Sequence, residues 1–404
     1  GDASTTPRDF EVQESATATL NDELLPSGSA VVESDATLRG NGTLDLSNAD
    51  QSTLAGNVCV TVTGRGQRTI SGGDNGIFDG SVEAGTPDSE ITITADEVTG
   101  SVAASDSGTV TFDGSVSVGD ALSAGSDGSI VLNGDVTIGT ASGGSGDVSL
   151  NHDADDDDGR TSISLGDNDL NVQGDFTGQD SVEYSAESGA VVLDTDGSVA
   201  SGEESIPNIT VADADESGSL LSPTISEGDT LAFDGEATLN VGFDGSGTLL
   251  ATGSTLTVDA EGSTQDDGTP DAVDVPKFVM NSDAETEVID GSTADTDQSF
   301  LNVTDSLRFE SGDFVHSTDV RASNVFEFAP ESEGAVSVTA EAGQLELNGA
   351  DALLQADLPV PALAAVGGPG NGSDLVANEA GDAFDILVGR SLELGSALST
   401  TADN

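Results

Sequence analysis

Basic residues are nearly missing from this chain: nine Lys and Arg stand against 75 Asp and Glu, and only one of the nine, Lys277, is a lysine. Phosphate recognition needs clusters of such cations, so nucleic acid is excluded as a partner. Cysteine occurs once, at Cys59, which excludes an intramolecular disulfide and a thiolate zinc site. Within the run VCVTV it is expected to pack as a small apolar residue. Tryptophan is absent and tyrosine is confined to Tyr184, which leaves few platforms for stacking a sugar ring. No stretch reaches the roughly eighteen consecutive apolar residues that a membrane-spanning helix needs. Histidine is limited to His152 and His316, and no G-x-S-x-G, H-E-x-x-H or P-loop pattern occurs. Acyl transfer, zinc hydrolysis and nucleotide chemistry therefore lack their parts.

What is there in excess is acid, for a formal charge of -66. In dilute buffer such a surface repels itself, whereas at molar salt the screening length falls to about 3 Å and the repulsion becomes local. High net charge is also a signature of disorder. The apolar residues argue otherwise, because they alternate with polar ones and are rich in Val, Ile, Leu and Thr, as half-buried strands require.

Two segments carry the clearest order: GTVTFDGSVSV at Gly108 to Val118 and GSIVLNGDVTI at Gly128 to Ile138. Both have glycine at the first and seventh positions. Val110, Phe112, Val116 and Val118 recur twenty residues later as Ile130, Leu132, Val136 and Ile138. A fixed period near twenty, made of short strands bent at a glycine, predicts an all-β, right-handed parallel β-helix, or β-solenoid, with coils of about twenty residues. Tandem β-sandwich domains would also show short strands, but nothing in a sandwich requires strands to repeat in register. Two strands per coil are expected, with Ile91, Val110, Ile130 and Val148 heading equivalent strands and Ile93, Phe112, Leu132 and Leu150 continuing them.

Along the chain, residues 1–27 read as an N-terminal arm or cap and 28–216 as solenoid repeats. Residues 217–357 form a second β-rich region that continues the solenoid. A soft boundary falls at Ser217 to Gly228, and strand-like runs then include LAFDGEATLNVGF, KFVM, FLNV, LRF, VFEF, VSVTA and LEL. Residues 358–404 read as a C-terminal cap or docking segment, because LPVPALAAVGGPG is the most apolar run and would cover an open coil. The start, GDASTTPRDF, has no basic or apolar signal region, so an exported protein is expected in its mature form.

Calcium is the best candidate ligand, since it takes six to eight oxygens. Asp153, Asp155, Asp157 and Asp158, within NHDADDDDG, come nearest to a ligand loop, although Ala154 stands where the leading acid belongs. Asp194 and Asp196, before Gly197, form a second candidate, and Asp266 with Asp267 a third. The plainer reading of each is a solvated acidic loop, with cations held weakly and shared among stacked carboxylates. No organic cofactor is expected. Four sequons, at Asn41, Asn208, Asn302 and Asn371, would be surface glycan sites on a displayed protein.

In acidity and lack of lysine the whole chain resembles the secreted and cell-surface proteins of haloarchaea. The Gly-Ser-apolar style of Ser89 to Leu150 resembles the β-helical passengers of adhesins and autotransporters. The resemblance implies an extracellular or cell-surface protein without enzymatic activity, forming a stalk, filament, sheath or adhesin. Its partners would be copies of itself, cell-surface components or surface glycans. Two alternatives share the same features: a spike or tail fibre built into the virion of a virus of such a host, and a secreted β-helical polysaccharide lyase or glycosidase. The shortage of aromatics counts against the enzyme.

Overall fold

The computed structural model describes residues 9–401, apart from the segments 46–50, 152–159, 212–221, 260–270, 292–298, 329–335, 366–372 and 378–385 and stretches of four residues or fewer. For strands between 51 and 68 and beyond 350 it describes mainly the backbone. The described elements are all β, and the strand pairings among them are parallel. Antiparallel sandwiches are thereby excluded, and the chain is a parallel β-helix. It divides into two units, Gly1–Leu193 and Asp194–Asn404.

In the first unit the period of twenty is the rise from one coil to the next. Strand Thr109–Phe112 pairs with Ser129–Leu132, placing Val110 beside Ile130 and Phe112 beside Leu132. Val116–Val118 pairs with Val136–Ile138 in the same way. Each coil here has three strands and not two. The third is Leu122–Ala124, between Val102–Ala104 of the coil before and Val148–Leu150 of the coil after. Val148 is therefore not the equivalent of Ile130, whose partner one coil on is Ile163. The expectation erred because a three-residue strand such as LSA barely rises above a Ser, Gly and Ala background. Alternation also cannot say which of three sheets a strand joins.

The pleat explains what each position carries. In strands such as TVTF, SIVL and VSV alternate residues point inward, so Val110, Phe112, Val116, Val118, Leu122, Ile130, Val136 and Ile138 are buried while the residues between them face out. Each added coil covers the apolar face of the last, at roughly 25 cal/mol for every Å² taken from water. Backbone bonding continues around the turns: Ser129 N–H donates to Gly108 O at 2.8 Å and Asn133 N–H to Phe112 O at 2.8 Å. The signature glycines sit where coils approach closest. A Cβ on Gly108 would fall onto Ala84 O, and one on Gly128 onto Ala104 O.

In the second unit the coils are less even but the construction is the same. Leu231, Leu249, Phe278, Leu307 and Phe326 are successive register partners and are all buried. The alternating residues Leu231, Phe233, Ala237, Leu239, Val241 and Phe243 are buried as well. Aromatics pack together in this core: Phe309 lies 4.5 Å from Phe314 and 5.5 Å from Phe326, ring centre to ring centre. The long strand Asp271–Asp290 slips register between Val275 and Lys277, at Pro276, which has no N–H to give the ladder. The apolar run Leu358–Ala365 is itself a strand, paired with Leu345–Leu347 on one side and Ile386–Leu394 on the other. It stands inside the ladder, with Pro361 at its own register slip.

Candidate functional site

Strands on either side of the middle coils carry outward acids, at Glu83, Glu90, Glu97 and Glu183, but in the middle coils the acids keep to one kind of place. In the coils spanning Thr109 to Gly178 the outward strand positions carry Thr109, Thr111, Ser117, Ser123, Ser129, Val131, Thr137, Ser149, Ser162, Ser164, Asn171 and Thr177, none of them charged. Among the described residues the acids of these coils lie at the corners between strands, at Asp113, Asp120, Asp127, Asp135, Asp147, Asp167, Asp169 and Asp175. Faces in these coils are uncharged and mostly hydroxylated; corners are anionic.

Several corner carboxylates reach the neighbouring coil. Asp135 Oδ1 accepts the backbone N–H of Asp169 at 3.0 Å, and Asp169 Oδ1 accepts that of Ala190 at 3.0 Å. At another corner Asp147 Oδ1 accepts the N–H of Asp175 at 3.0 Å. Asp120 takes the Ser145 N–H at 3.1 Å on one oxygen and the Ser101 hydroxyl at 2.8 Å on the other. Together the Ser145 amide and then the Ser101 hydroxyl hold the Asp120 carboxyl below the usual carboxylate range. In the second unit Asn208 Oδ1 plays the same part for the Glu236 N–H at 3.0 Å. There Asp234 is shifted the other way, upward, by partial desolvation of a carboxyl whose residue remains exposed overall.

Sequence reasoning missed these residues as a class. A signal for most of them exists: Asp135, Asp147, Asp169 and Asp175 each stand directly before the first buried residue of a strand, Val136, Val148, Leu170 and Phe176. An acid at that place reads as a solvated turn until the coil above supplies the N–H.

The candidate metal ligands Asp153, Asp155, Asp157, Asp158 and Asp196 lie outside the described residues, as do Asp266 and Asp267. Asp194 is half-buried just after strand Val191–Leu193. Among the described residues no group of three or more His, Cys, Asp or Glu is placed to hold a metal ion. The sequons differ in their surroundings. Asn41 lies in strand Thr37–Asp45, and Asn371 is outside the described residues. Asn302 is held within a ladder, its Nδ2 donating to Asp274 Oδ1 at 2.7 Å and its Oδ1 accepting from Ser323 at 2.8 Å.

Three of the scarce cations stand on the outward side of the second unit. Arg321 Nε is 2.6 Å from Glu346 Oε2, and its guanidinium lies 4.3 Å above the Phe300 ring. Arg308 meets Glu310 at 2.8 Å and Glu327 at 3.4 Å, and Lys277 lies 3.7 Å from Asp305. His316 is fully buried against Phe314, with Nδ1 2.9 Å from Thr318 O. His152 is outside the described residues.

No protein-family model, curated protein or solved structure matches this chain. What the arrangement offers chemically is therefore read from its own geometry: hydroxylated faces, carboxylates engaged with backbone amides, and cations already engaged with acids. Among the described residues no helix is long and apolar enough to cross a membrane.

Proposed function

We propose that the chain is a non-enzymatic extracellular structural protein of a halophile, a β-solenoid that assembles with copies of itself or with cell-surface components into a stalk, filament, sheath or adhesin. The observation that carries this reading is the division of labour in the coils spanning Thr109 to Gly178. There uncharged, mostly hydroxylated faces run from coil to coil, and carboxylates line the corners. Hydroxyl faces suit lateral contact between solenoids, because they desolvate at far lower cost than charged ones. Corner carboxylates keep a hydration and cation layer around the rest when salt is concentrated. Cations, calcium among them, would be shared along these corners and not caged at one point.

Electron microscopy of the purified chain at molar salt tests the reading. Filaments or sheets are the expected result. Dispersed monomers that turn over an acidic polysaccharide would overturn it in favour of an enzyme, and discrete trimeric spikes would move it to a virion component.

A further inference from the structure

We propose that the corner carboxylates of the first unit are charged clasps between coils, so that loss of their charge loosens this unit in brine and tightens it in dilute buffer. Four such clasps are placed by geometry: Asp120 on Ser145, Asp135 on Asp169, Asp147 on Asp175 and Asp169 on Ala190. Each joins a carboxylate of one coil to a backbone N–H of the next. An ionised acceptor makes this bond about twice as strong as a neutral one, and protonation weakens it.

The groups facing these clasps decide the opposing term. Asp169 stands over Asp135 and Asp175 over Asp147, so acids face acids, whereas Asp120 is faced by the Ser101 and Ser145 hydroxyls. Taking the charge from a clasp between facing acids, as an Asn substitution does, therefore removes both a clasp and a repulsion. Which loss matters more depends on salt. The clasp acts at about 3 Å, a distance that even molar salt barely screens, while the repulsion acts across coils and over the whole charge of -66. In brine the repulsion is already gone and only the clasp remains to be lost. At low ionic strength the screening length exceeds 10 Å and relief of repulsion dominates.

For Asp120, whose folded pKa is lowered, the sign is definite. Its contribution is present above the ordinary carboxylate range near pH 3.9 and is lost as pH falls through its lower folded value.

Thermal unfolding of the full chain, followed by far-UV circular dichroism at pH 7 in about 3 M and about 50 mM NaCl, tests the proposal. The variants are Asp120→Asn with Asp135→Asn and Asp169→Asn, which keep an acceptor oxygen but remove its charge. The comparison is Asp113→Asn with Glu187→Gln, exposed acids of the same unit that make no clasp. In brine at pH 7 the clasp variant is expected to melt lower by roughly 2–4 °C per clasp, while the comparison melts as the unaltered chain does. In dilute buffer the clasp variant should instead melt above the unaltered chain or restore strand signal. A clasp variant that melts with the comparison variant in brine, or that shifts with the same sign at both salts, overturns the proposal. If the triple variant does not fold, Asp120→Asn alone is read by hydrogen exchange in brine. Lost protection at the Ser145 amide supports the clasp, and unchanged protection refutes it.

Discussion

Gly134 lies directly over Gly114, so close that a Cβ on Gly134 would fall onto the carbonyl carbon of Gly114 one coil below. Gly114 itself has a φ of +124°, and a Cβ on it would meet no atom within 4 Å. The same glycine in two successive coils is thus required for two different reasons, close approach in one and backbone conformation in the other.

Substitution separates those reasons. Gly134→Ala forces backbone apart and is expected to cost about 1–3 kcal/mol, with the strand partners Val116 and Val136 disturbed. Gly114→Ala meets no atom and is expected to cost about 1–2 kcal/mol through φ alone. Denaturant unfolding should show both losses, and only Gly134→Ala should raise hydrogen exchange in both coils.

Arg321 and Arg308 make ion pairs of similar length but unequal worth. The Glu346 side chain is 8% exposed, so Arg321→Ala strands a nearly buried carboxylate and also uncovers Phe300. A loss of about 2–4 kcal/mol is expected. Arg308 is 43% exposed, and Arg308→Ala is expected to cost about 0–1 kcal/mol. Adding Glu346→Gln to Arg321→Ala should recover part of the larger loss, which a double-mutant cycle would measure.

Dilution should unfold the chain. With a charge of -66 and a screening length that grows from about 3 Å to more than 10 Å, far-UV strand signal is expected to fall between about 3 M and about 50 mM NaCl. A spectrum unchanged across that range would contradict the account of the acidic coat.

The Asn302 sequon has its amide committed on both sides, to Asp274 and Ser323. A glycan would take one of the two Nδ2 hydrogens and crowd the contact that the other makes with Asp274. Peptide mass mapping of protein made in a glycosylating halophilic host is therefore expected to find the Asn302 peptide unmodified, whatever occupancy Asn208 shows.

The legible part of the fold was its repeat. Val110 with Ile130 and Val116 with Val136 could be paired from sequence, because a parallel coil places like residues on like and the glycine spacing marks each corner. The third strand at Leu122–Ala124 and the sheet to which Val148 belongs were not legible. An inward Leu and Ala among serines look like any turn, and the residues after Asp120 reveal no sheet by themselves.

What the sequence alone determined is whatever depends on local period and composition: alternating strands, coils of about twenty residues, an aliphatic interior and an acidic exterior. Only the tertiary structure decided which acids act between coils and which cations are spoken for. Asp135 meets the Asp169 amide, and Arg321 meets Glu346, across 34 and 25 residues of chain. The partner in each case arrives with the next coil, so nothing next to either residue in sequence announces it.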